Sequence, residues 1–100
     1  NSPMNNKTMN NEQQRADFIE QTTALMQRSA PREFALMSHF CRESIAFATL
    51  HEKVINLHFY GPDGEALSEQ QRSPEFCAKG LTRLVERLLA TIENTAHKAA

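Results

Sequence analysis

The sequence predicts a small helix-rich α+β domain, ordered helix–helix–strand–strand–helix. Three observations lead there. Two long stretches, Phe34 to Ala48 and Cys77 to Ile92, repeat apolar residues at the spacing of a helix. Between them "VINLHFY", from Val54 to Tyr60, alternates Ile55, Leu57 and Phe59 with Asn56, His58 and Tyr60, as a half-buried strand does. "GPDG" follows directly, where Pro62 presets a turn and Gly64 accepts positive φ.

The opening residues, 1–10, are polar and Asn-rich and are expected to form a disordered tail ahead of one domain over residues 11–97. A first helix is expected from Asn11, with Phe18, Thr22, Leu25, Met26 and Ser29 at helical spacing. "RSAPRE" ends it, and Pro31 opens a second helix with Ser29 as its N-cap. That helix carries two adjacent apolar stripes. Phe34, Met37, Cys41, Ile45 and Ala48 form one, and Leu36, Phe40, Phe47 and Leu50 the other, so it is expected to be central and to reach about residue 50.

Residues 44–50 also admit a strand. A tight turn at Glu52-Lys53 would set Leu50 against Ile55, Ala48 against Leu57 and Ala46 against Phe59, giving a three-stranded antiparallel meander flanked by helices. Against it, Glu-Lys is poor hairpin chemistry and alanines favour helix. After the turn, "EALSE" is expected to return as a short strand and "QQRS" to link onward. Ser73-Pro74-Glu75 starts the last helix, with the serine as N-cap and an acid in the first turn. Its stripe of Cys77, Leu81, Leu84, Leu88 and Ile92, widened by Val85 and Leu89, runs to about Thr95. Phe34, Met37, Cys41, Phe59, Leu81, Leu84, Leu88 and Ile92 are the expected core.

One hundred residues allow one small core and no second domain. The formal charge of −1, with arginines interleaved among acids, does not select a partner by gross electrostatics. Two cysteines make no disulfide scaffold and fit a reducing compartment. No apolar run approaches the roughly 18–20 residues of a membrane span, and the polar start is not a secretory signal. A cytoplasmic protein of a bacterium or a phage is expected.

His39, Cys41, His51, His58 and Cys77 are the residues that could carry chemistry. Their spacings do not match a metal site: His39 and Cys41 are two apart, which on a helix turns them roughly 200° from each other. Cys77, near the start of a helix, could be an activated thiol, but it also begins the apolar stripe, and no partner base is identifiable. "GPDG" lacks the glycines and the lysine of a phosphate loop. No catalytic residue, metal or cofactor is expected.

The leading expectation is a non-enzymatic interaction or regulatory module, forming a homodimer through Ile55, Leu57, Phe59, Leu81, Leu84, Leu88 and Ile92. The alternative is a small-molecule or thiol-dependent pocket lined by His39, Cys41, His51, His58 and Cys77. A weaker one is nucleic-acid binding through Lys79, Arg83 and Arg87, a face that Glu75, Glu86 and Glu93 are expected to dilute.

Overall fold

A computed structural model describes residues 3–65, 67, 68 and 70–99, and their side chains between residues 12 and 94. It contains four helices: α1 (Pro3–Ser29), α2 (Pro31–Glu43), α3 (Ile45–Tyr60) and α4 (Pro74–Ala99). No strand occurs among the described residues. The α+β expectation is therefore wrong, and so is the three-stranded alternative: the chain is a helical bundle. Of the expected strand at 65–69, residues 66 and 69 lie outside the described residues, and 65, 67 and 68 are not in a strand.

The error lies in the period of one segment. Residues 54–60 alternate as a strand would, but the apolar set that the fold uses is Phe47, Ile55 and Phe59, spaced as on one helix face. Ile55 is 1% exposed and Phe59 0%, whereas Leu57, which belongs with them in a strand, is 52% exposed. Ala46, Ala48, Leu50 and Glu52 favour helix and extend the segment to four turns, too long for an ordinary strand.

A second error concerns the boundary before it. The continuous helix expected from Pro31 to about residue 50 is broken at Ser44, which is extended at φ −136° and ψ 115°. The Ser44 hydroxyl accepts a hydrogen bond from the Phe47 amide at 3.1 Å, so it caps α3, while its own amide donates to the Phe40 carbonyl and closes α2. At the other end of α2 the N-cap is Ala30, with no side-chain cap. Ser29 does not take that role: its hydroxyl donates to the Leu25 carbonyl, inside α1. The cap expected for α4 is present, with the Phe76 amide donating to the Ser73 hydroxyl at 3.2 Å.

α1 packs most extensively along α4. Gln14 meets Arg72 just before α4, and Thr22 meets Cys77 in its first turn, so the two helices run the same way. α3 runs antiparallel to α4, with His58 beside Phe76 and Val54 beside Gly80. The core takes Phe18, Thr22 and Met26 from α1, Met37 from α2, Phe47, Ile55 and Phe59 from α3, and Cys77, Ala78, Leu81 and Val85 from α4. Of the expected core residues, Phe34, Cys41, Leu84 and Leu88 pack against this cluster half-buried, and Ile92 lies outside it. "GPDG" is a turn, but it ends a helix: Gly61, at φ 80°, caps α3 through a bond from its amide to the Leu57 carbonyl.

The period of α3 can be tested by substitution. Ile55→Ala should cost about 2–5 kcal/mol, as truncation in a packed core does, and Leu57→Ala less than about 1 kcal/mol. Urea unfolding of both variants checks this, and comparable losses would place Ile55 and Leu57 on one buried face, as a strand requires.

Candidate interaction surface

The five His and Cys residues do not converge. Cys77 is buried in the core against Thr22, and burial pushes its thiol up to about 11, with the Thr22 hydroxyl acting in the opposite direction. Thr22 Oγ1 has no hydrogen bond of ordinary geometry, so its contact with the sulfur is weak. A thiol held in this way carries little of the thiolate that nucleophilic attack requires. Cys41 is half-buried, also with a raised pKa from burial, and lines a shallow cleft with Ile45, Ala48 and Thr49 that contains none of the other four. His39 is exposed on α2 beside the Phe40 ring. His51 and His58 are half-buried on α3. Among the described residues no group of three or more His, Cys, Asp or Glu is placed to hold a metal ion.

What the fold assembles instead is an apolar surface. α3 has only two charged residues, Glu52 and Lys53, and carries more large apolar side chains than the core takes up; Ile45, at its start, is 88% exposed. Its inner face, Phe47, Ile55 and Phe59, meets the core. Leu50 and Leu57, seven residues apart and hence on one line two turns long, face out at 46% and 52% exposure. On α4 Phe76 is 68% exposed, its ring 6.4 Å from that of His58. Leu57 lines a separate cleft with Lys53, Asn56, Tyr60 and the loop at Gly61, Pro62 and Gly64. Where α3 and α4 meet stands Gly80: a Cβ there would lie 3.4 Å from His58 Nε2 and 4.0 Å from Val54, ordinary van der Waals contact.

Side chains from two other elements hold α3 in this rotation. Arg72, in the loop before α4, places its guanidinium 4.0 Å over the Phe59 ring and donates to Gln14 at 3.2 Å. Arg15 on α1 donates to Asn56 at 2.9 Å and pairs with Glu52, the one ion pair among the described residues. Glu52 is thereby committed, whereas Lys53, Arg83 and Arg87 are exposed and form no ion pair among the described residues.

The three basic residues expected on α4 also divide. Lys79 and Arg83 line a groove of about 760 Å³ between α1 and α4, together with Arg28, Glu75 and Glu86. Arg87 lies outside that groove, toward the side of Gly80 and Phe76. No helix among the described residues is long and apolar enough to cross a membrane. Comparison with family models, curated proteins and solved structures found no match.

Sequence reasoning named Leu57 for the interface but missed Leu50 and Phe76, because both had been counted into buried stripes or passed over. The spacing of Leu50 to Leu57 was visible; that it faces outward follows only from the burial of Ile55 and Phe59 on the other side.

Burial lowers the pKa of His51 and His58, with Glu52 acting in the opposite direction on His51. Both therefore fold in the neutral form. The unfolded chain takes up their protons at higher pH, so stability is complete above the ordinary histidine value of about 6.5 and falls as pH drops below it toward the folded values. The urea midpoint should thus decrease between pH 7.5 and 5.5, and His58→Gln should flatten part of that decrease. An unchanged slope in the variant would show that His58 does not contribute to it.

Proposed function

We propose that this protein is a non-catalytic interaction module that works through the outer face of α3 and the adjoining face of α4. The observation that carries this reading is the set of large apolar side chains that the core leaves exposed, Ile45, Leu50 and Leu57 on α3 and Phe76 on α4. Where such side chains form a patch, the patch marks contact with another molecule. The pocket alternative has no support in the placement of His39, Cys41, His51, His58 and Cys77, which point to different parts of the fold.

Self-association is a second reading, favoured by a separate observation. Ile92 continues the stripe of Leu81 and Leu88 along α4 and is 48% exposed beyond the core, so the end of α4 is available to pair with a copy. Pairing through strand edges, the route expected from the sequence, has no strand to use among the described residues.

A photo-activated cross-linking amino acid at position 57, 76 or 92, introduced one at a time in the source cell, tests both readings. Adducts from 57 and 76, but not from Glu20 on α1, are expected. Absence of adducts at both positions in a folded, expressed protein would remove the interaction reading for this face. Adducts of twice the chain mass from position 92 would establish the homodimer.

A further inference from the structure

We propose that the cleft between the second half of α3 and the loop after it receives the C-terminal residue of a partner chain, a large apolar side chain beside a free carboxylate. This rests on the reading of α3 as an interaction surface, and adds which part of a partner it takes and by what chemistry. The cleft is about 370 Å³ and is lined by Lys53, Asn56, Leu57, Tyr60, Pro62 and two glycines. That is the lower end of the roughly 300–1,000 Å³ of ordinary ligand pockets, so the cleft suits one residue and not a helix.

The apolar walls are Leu57, the Tyr60 ring and Pro62, and the turn that carries Pro62 is held from both sides. The Gly61 amide donates to the Leu57 carbonyl at 2.8 Å, and the Gly64 amide to the Gly61 carbonyl at 3.2 Å. Beyond them the Leu67 amide donates to the Phe59 carbonyl at 3.2 Å. Gly61 sits at φ 80°, and a Cβ there would lie 2.9 Å from the Leu67 side chain, so another residue would be both strained and crowded. The wall is therefore formed before anything binds, which lowers the ordering cost of binding.

The polar side chains of the cleft select a carboxylate. Lys53 is the one charged residue lining it, and it forms no ion pair among the described residues. Asn56 Oδ1 accepts from two nitrogens of Arg15, at 2.9 and 3.3 Å, so the group it has left for a ligand is its Nδ2 donor. The acids nearby do not line the cleft: Glu52 is paired with Arg15, and Asp63 is exposed in the turn. An ammonium and an amide donor next to apolar walls match one carboxylate attached to an apolar group.

Other occupants fit less well. One lysine is too little for a nucleic acid, whose binding sums over several cations, and no acid lines the cleft to receive a basic peptide. A free chain end supplies the carboxylate and the side chain together, and its capture is a recurring mode of peptide recognition. Lys53 and Leu57 are exposed, so the cleft is open along α3 and a chain can lead out of it.

The test titrates the full chain, isotope-labelled, with an acetylated hexapeptide of glycine and serine that ends in leucine with a free carboxylate. Saturable shifts of the backbone amides between residues 53 and 64 are expected by NMR. Amidating the carboxylate, or Lys53→Met, should each weaken binding about fivefold, and the two together no further, since they break the same pair. Glycine in place of the terminal leucine, and separately Leu57→Ser, should weaken it severalfold. Thermal unfolding confirms the fold of each variant, and Leu57→Ala serves where Leu57→Ser does not fold.

Equal binding of the acid and the amide would overturn the proposal. So would an absence of saturable binding, or shifts centred elsewhere on the fold. Free isocaproate, which carries the same side chain and carboxylate without the peptide, should bind more weakly than the hexapeptide; equal or tighter binding would overturn the partner chain in favour of a small amphipathic acid. In each of these cases cross-links from positions 57 and 76 would still uphold the interaction reading, whereas their absence would remove both.

Discussion

Much of this structure depends on how Phe59 is held. Its ring meets Phe18 of α1 edge-on at 5.7 Å, stands perpendicular to Tyr60 at 4.8 Å, and lies under the Arg72 guanidinium at 4.0 Å. Its carbonyl accepts from the Leu67 amide. One residue thus ties together α1, α3 and the loop that leads into α4. A buried aromatic carries a large apolar area, and edge-to-face pairs and a stacked cation each add of the order of 1 kcal/mol. These contacts fix the rotation of α3 about its own axis. Once Phe59 and Ile55 point inward, Leu50 and Leu57 have nowhere to go but outward. The exposed face is the other side of the packing that secures the core.

How much of this was legible in the sequence differs from element to element. α4 was read nearly as it stands, because Ser73-Pro74-Glu75 is a strong start and its apolar stripe has one interpretation. α1 was recognised from Phe18, Thr22 and Met26, which are buried in a line. α3 was misread because a short segment whose apolar residues recur at both two and four positions satisfies both periods. Alternating and helical readings of residues 54–60 share Ile55 and Phe59 and differ only in Leu57. Tertiary packing decides between them: a lone ribbon would leave its strand edges open, whereas a helix satisfies its own backbone and can lie antiparallel to α4. Ser44 was the available signal. Set in an otherwise apolar run three residues before Phe47, it had the chemistry of a cap, and reading it as one would have split the long helix and left residues 45–60 to form another.

The site was less legible than the fold, for a physical reason. Histidines and cysteines attract notice in a sequence because they can do chemistry, but chemistry needs them to converge. Cys77 is buried in the core, which raises its pKa, and the histidines are spread along one side of α3 and the surface of α2. The apolar residues left exposed, Ile45, Leu50, Leu57 and Phe76, look in sequence like any core residue. Only the three-dimensional packing separates Leu57 from Ile55.

Gly80 marks where α3 and α4 meet. In the middle of a helix a glycine is unfavourable by roughly 1 kcal/mol against alanine. A Cβ there would lie 3.4 Å from His58 Nε2 and 4.0 Å from Val54, ordinary van der Waals contact, so the position has room for an alanine without displacing either helix. The approach of the two helices therefore rests on the core side chains they share, Ile55 and Phe59 from α3 with Leu81 and Val85 from α4, and not on the glycine. The same packing leaves Leu50 and Leu57 outside, because one side of a helix cannot be buried against α4 and α1 without turning the opposite side to solvent.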